Sequence, residues 1–218
     1  RSTLDGTSFP TRRSSDLLVL ISGGNLTVDS AISAAGNLLL DVSGDVNANA
    51  AINSSGGHIS LLASGNLNQA AAGDISTTGT GTIDVQAAGI VMADGATTLT
   101  GSGNIRYAAT GAIELGMLGS SGHISLSGTT ISDANGDSLN LSADQLKISA
   151  SGFGSGANGI ETTLATLSAN VSSLYLSETD DLIIGDTAAI SVNRIGSNGA
   201  VASQAQDAIQ SDVVSSGE

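Results

Sequence analysis

The sequence predicts an all-β solenoid, a parallel β-helix of about eight or nine rungs of roughly 19–24 residues each. Three observations carry this. A Gly-polar-apolar-x-apolar unit recurs along the chain, and a second glycine-led unit follows each copy at a nearly fixed offset. The 218 residues include 29 glycines but only 2% aromatics, so the core must be built from small aliphatic side chains.

The first unit occurs as Gly24 to Val28, Gly36 to Leu40, Gly57 to Leu61, Gly81 to Val85, Gly103 to Tyr107 and Gly122 to Leu126. From Gly36 onward the glycine spacings are 21, 24, 22 and 19 residues. The repeat glycines Gly36, Gly57, Gly81, Gly103 and Gly122 are therefore structural candidates, placed at corners where left-handed backbone would be needed. The second series, Gly44, Gly65, Gly89, Gly111 and Gly128, follows at offsets of 8, 8, 8, 8 and 6, which suits a coil with about three sides.

Period-two alternation marks half-buried strands. It turns Leu38/Leu40, Ile59/Leu61, Ile83/Val85, Ile105/Tyr107 and Ile124/Leu126 inward and leaves Leu39, Ser60, Asp84, Arg106 and Ser125 facing solvent. A helix would have to carry a glycine about every eight residues, at about 1 kcal/mol each. Stacked at about 4.8 Å per rung, the strands make a rod about 40 Å long. After Asp133 the register loosens, with short strands at Leu139-Asn140-Leu141, Leu146-Lys147-Ile148, Leu174-Tyr175-Leu176, Leu182-Ile183-Ile184 and Ile190-Ser191-Val192. Gly152 to Gly159 reads as a projecting loop, and residues 200–218 carry little pattern and no recognisable cap.

Residues 1–17 differ from the rest, holding Arg1, Arg12, Arg13, Phe9 and the sole proline, Pro10. The run Ser8 to Leu17 resembles, codon for codon, a translated sequencing-library adapter. Residues 1–17 are accordingly expected to be a non-native, disordered segment, with the β-helix shaft over 18–218. That remainder carries three basic residues (Arg106, Lys147, Arg194) against 18 acidic ones, a formal charge of −15. Such acidity speaks against nucleic acid, whose phosphates need a basic footprint. No apolar run approaches the roughly 20 residues of a membrane-spanning helix, so no membrane insertion is expected. The absence of cysteine excludes disulfide scaffolds and thiol catalysis.

The Gly-Asn-Leu-Thr-Val, Gly-His-Ile-Ser-Leu and Ser-Gly-Asn-Leu units, covering roughly residues 20–150 and more loosely to 195, resemble the repeats of filamentous haemagglutinin-type bacterial exoproteins. The resemblance implies a right-handed parallel β-helix shaft and export by two-partner secretion, with an outer-membrane secretion partner. It also implies service at the cell surface as an adhesin or toxin stalk. The Asn-Pro motifs of that family's secretion domain are missing here, since no proline follows Pro10. The chain thus resembles an internal slice of shaft.

Candidate chemistry is sparse. His58 and His123 occupy the same repeat phase three rungs apart, about 14 Å on the rung spacing, too far for one metal ion. Their equivalents are Asn37, Thr82 and Asn104, so the position asks for a polar residue at a strand start. Asp133, Asn135 and Asp137 set oxygen donors on one turn and form the single calcium candidate. They lack a downstream bidentate glutamate and a nine-residue repeat, and read as an acidic turn. Asp180-Asp181 with Glu178 invites a glycosidase reading, but hydrolysis needs two carboxyls at a defined separation, and neighbouring residues on a strand face opposite ways.

No catalytic residue and no cofactor is assigned. The expected function is a secreted, surface-displayed adhesin shaft presenting loops 133–138 and 152–159 to a receptor or glycan on a host or neighbouring cell. The alternatives are a polysaccharide hydrolase or lyase on the same fold, and a purely structural spacer.

Overall fold

Small alternating residues between glycine corners build strands too short to stand alone, so each must hydrogen-bond to its equivalent one repeat away. In the computed structural model, which describes residues 2–3 and 17–215, they do so in parallel and form a β-solenoid of about eight turns. No helix occurs among the described residues. Of the adapter-like run Ser8 to Leu17, only Leu17 falls within them.

Each turn has three faces. The first face stacks Leu18–Ser22, Leu38–Val42, Ile59–Ala63, Ile83–Ala87, Ile105–Ala109 and His123–Ser127. The second begins Leu26–Val28, Val46–Ala48, Leu67–Gln69 and Ile90–Met92, and continues through Ile113–Leu115 and Thr130–Asp133. The third, in the stretch the repeat pattern left undefined, stacks Ile32–Ala34, Ile52–Ser54, Ile75–Thr77, Thr97–Leu99 and Met117–Gly119. Beyond residue 133 the glycine between the third and first faces disappears from the sequence. There the two faces fuse into single long strands, Leu141–Ser149 and Ile160–Val171, which bend without a break.

The core is a column of aliphatic rows. Ile59, Ile83, Ile105 and Ile124 pair in register with Leu38 on one side and Leu146 on the other, and all are fully buried. Tyr107 occupies a position that is leucine or valine in its neighbours. Its phenol is buried with them, its Oη lying 2.7 Å from the Thr98 hydroxyl, and burial pushes its pKa up.

The repeat glycines have a different cause from the one the sequence suggested. Positive φ occurs at Gly56, Gly79, Gly95, Gly136, Gly154, Gly199 and Asp212, and at none of the repeat glycines. What those positions require is close approach. A Cβ on Gly57, Gly81 or Gly103 would overlap the backbone of Gly36, Gly57 or Gly81 in the turn before.

The C-terminal part departs most from expectation. In the last turn Ile183–Ile184 pairs with Thr166–Leu167, and Val213–Ser215 pairs with Ala169–Val171. Between them residues 185–212 leave the stack. Ile190–Ile195, expected as a rung, is one strand of an antiparallel hairpin with Val201–Asp207. The hairpin lies on the outside of the first face, running across the turns. Consequently Leu39, Ser60, Asp84 and Ser125 are buried, at 2% exposure or less, and Arg106 is largely covered. Gly152 to Gly159 is only partly a loop, because Gly152–Phe153 is a second-face strand and Phe153 is fully buried. The turn beyond it closes through a Ser155–Asn158 bridge.

Candidate functional site

Outward side chains on one sheet face normally meet water, and polar groups there cost nothing. Once a hairpin covers them, each needs a partner, and the first face supplies partners turn by turn. Its outward hydroxyls accept from the hairpin backbone: Ser60 Oγ from the Ile195 amide and Thr82 Oγ1 from the Asn193 amide, each at 2.9 Å. Its asparagines donate to hairpin carbonyls, Asn104 Nδ2 to Ser191 at 2.9 Å and Asn37 Nδ2 to Gly199 at 3.1 Å.

Charge concentrates at the middle of this interface. The fully buried Asp84 carboxylate sits between two guanidiniums, 3.2 Å from Arg106 Nη1 and 2.8 Å from Arg194 Nη2. Arg106 Nε donates to Asp207 Oδ2 at 2.9 Å, and that oxygen also accepts from Ser125 Oγ at 2.7 Å. Lys147 donates to the Ala208 carbonyl. Burial holds the Lys147 ammonium below its ordinary range, with Asp207 opposing that shift and Arg106 reinforcing it. The three basic residues that follow Leu17 are thus all engaged where the hairpin meets the face.

Sequence reasoning missed this constellation, although a signal existed. Arg106 and Lys147 fall in register on the same outward row, with Ser125 between them. Two of three cations on one row of a strongly acidic chain mark a row that has an anionic neighbour.

His58 caps a strand start, and His123 is capped at one. His58 Nδ1 accepts the Thr82 backbone N–H at 3.0 Å, just as Asn37 Oδ1 accepts from the His58 amide and Asn104 Oδ1 from the His123 amide. Burial lowers the His58 pKa, which keeps Nδ1 available as an acceptor. The register keeps His58 and His123 three turns apart. His123 Nδ1 lies 3.5 Å from Asp144 Oδ2 instead.

At the acidic turn, Asp133 Oδ1 accepts from the Asn135 amide and from Asn140 Nδ2, both at 2.8 Å. Asn140, fully buried, also donates to the Gly116 carbonyl at 3.0 Å, while its Oδ1 accepts from the Glu161 amide at 3.0 Å. Asp133 and Asn135 therefore hold an asparagine, and Asp137 is exposed on the turn. No cluster of three or more His, Asp or Glu side chains suited to a metal ion occurs among the described residues.

Glu161, which the sequence did not single out, arrives from the next turn. Its Oε2 and Asp133 Oδ2 are both buried without a hydrogen-bond partner among the described residues. Burial raises the Glu161 pKa, and Asp133 and Asp137 add to the rise. The folded chain thus keeps this proton over a range where the unfolded chain has lost it, so ionisation costs stability as pH rises from about 4.5. Glu161→Gln is expected to raise stability at pH 7 and to leave it unchanged at pH 4. Urea midpoints at the two pH values measure this.

Open depressions also mark the described surface. One of about 410 Å³ is lined by small side chains including Thr110, Ser127, Ser149 and Asn170. Another, about 230 Å³, lies beside the hairpin base and is lined by Lys147, Asp207 and Gln210. Asp180 and Asp181 line neither and stand exposed on a turn, while Glu178 Oε2 accepts from Thr162 Oγ1 at 2.8 Å. Comparison with protein-family models, with curated proteins and with solved structures finds no match.

Proposed function

We propose that this chain is a length of shaft from a secreted, surface-displayed bacterial adhesin, exported with an outer-membrane partner and holding binding loops away from the cell. The observation that carries the reading is the parallel stack itself, in register from Leu18–Ser22 to Ile160–Val171. A strand order that advances by one turn at a time makes a rod that varies at its corners, its loops and the hairpin that leaves it. Function on such a scaffold belongs to what projects from it.

The covered first face narrows where a receptor or glycan would dock. The surfaces left open include the outer sides of the second and third faces, the exposed residues Gly136, Asp137 and Ser138, and the turn at 154–159. The acidity of the chain keeps parallel rods apart in solution. Beads coated with the full chain test the proposal on host or neighbouring bacterial cells. Attachment that saturates, and that falls when Ser155 to Asn158 is replaced by a two-residue Gly-Gly turn or Asp137-Ser138 by Gly-Gly, supports it. Attachment no greater than that of beads coated with an unrelated solenoid of equal charge would leave a spacer in its place.

A further inference from the structure

We infer that residues 185–212 form a latch that closes last and opens first, and that it binds the separate turns into one unfolding unit. The excursion starts and ends in the same strand position. Leu167 pairs with Ile184 and Ala169 with Val213, so the place opposite Ser168 is taken by the departing chain. Its base is pinned there by the buried hydroxyl pair of Ser168 and Thr187, 2.6 Å apart, and by the Thr187–Gln210 bridge.

The dock for this latch belongs to no single turn. Asn37, Ser60, Asp84, Arg106, Ser125 and Lys147 come from six successive first-face turns, each supplying at least one outward side chain or strand-start residue. The paired residues are far apart in sequence: 162 for Asn37 and Gly199, 135 for Ser60 and Ile195, 110 for Asp84 and Arg194. Contacts of such separation form only after the intervening chain is ordered. The dock therefore exists only when the turns are already stacked in register.

The reverse order follows for unfolding. In a solenoid each turn touches only its neighbours, and turns can peel from an end one at a time. Here the hairpin bonds to turns two through seven, so none of those can leave while it is seated. Contacts absent from the folding transition state act on the unfolding rate alone.

Stopped-flow folding and unfolding in urea of the full chain, and of Arg194→Met and Asp207→Asn, test this. Unfolding about tenfold faster or more, with refolding changed less than about twofold, is expected for both variants. Slower refolding with unchanged unfolding, or no change in either rate, would overturn the latch. Hydrogen exchange on the unaltered protein gives a second reading that needs no variant. Hairpin amides in Ile190–Ile195 should exchange faster than first-face amides from Leu38 to Ala109, and the opposite order is incompatible with a latch that opens first.

Discussion

Gly103→Ala is expected to destabilise the fold by about 3 kcal/mol or more, a large share of the roughly 5–15 kcal/mol that holds a domain together. The added methyl would overlap the Gly81 carbonyl oxygen, with the Thr80 carbonyl oxygen close behind, and neither is the movable end of a side chain. Relief requires two adjacent turns to separate, which breaks the ladder between Ile83 and Ile105 on one side of the corner. Gly24→Ala is the control. Nothing lies within 4 Å of a Cβ there and its φ is not positive, so its effect should stay within about 0.5 kcal/mol. Thermal and urea unfolding followed by circular dichroism would separate the two. Equal effects would mean that close stacking is not what the repeat glycines provide.

The second large effect is expected at Asp84. Asp84→Ala removes the carboxylate between two guanidiniums and leaves Arg194 without an anion and Arg106 with Asp207 alone. Breaking a fully buried pair from one side costs about 3–5 kcal/mol, and the loss here should fall toward the lower end because the Arg106 and Arg194 side chains keep 14% and 28% exposure. The structural sign should be local before it is global: protease cleavage within 196–212 should appear at urea concentrations where the stack still shows its strand signal. Asp84→Asn keeps the volume and one acceptor and should lose less. If Asp84→Ala unfolds at the same midpoint as the parent chain, the ion pairs contribute nothing net.

The two sites also show what a sequence of this kind can and cannot disclose. Inward rows were legible because Leu38/Leu40, Ile59/Leu61 and their equivalents repeat both in spacing and in chemistry. The third face was nearly hidden, since strands such as Ile52–Ser54 contribute three residues each with small polar groups at two of them. The hairpin was not legible as such. Ile190-Ser191-Val192 alternates in the same way whether the strand lies across the rod as a rung or along it as a cover. Alternation reports which side chains share a face; it is silent on what covers that face. Ser60, Asp84 and Arg106 have the composition of solvated positions, and only their partners 135, 110 and 101 residues away make them interior. The acidic turn was readable at Asp133, Asn135 and Asp137, but not Glu161, which the stacking register delivers from one turn further on.

The hairpin strands cross the grain of every other strand in the rod, as a batten crosses planks. A batten on one side makes bending resistance directional. Flexing that stretches the first face pulls against covalent chain in Ile190–Ile195 and Val201–Asp207, whereas flexing that stretches the corner between the second and third faces pulls only against hydrogen bonds between turns. Under sideways load the rod should therefore part first at that opposite corner and fold toward its batten, so that its failure has a fixed direction.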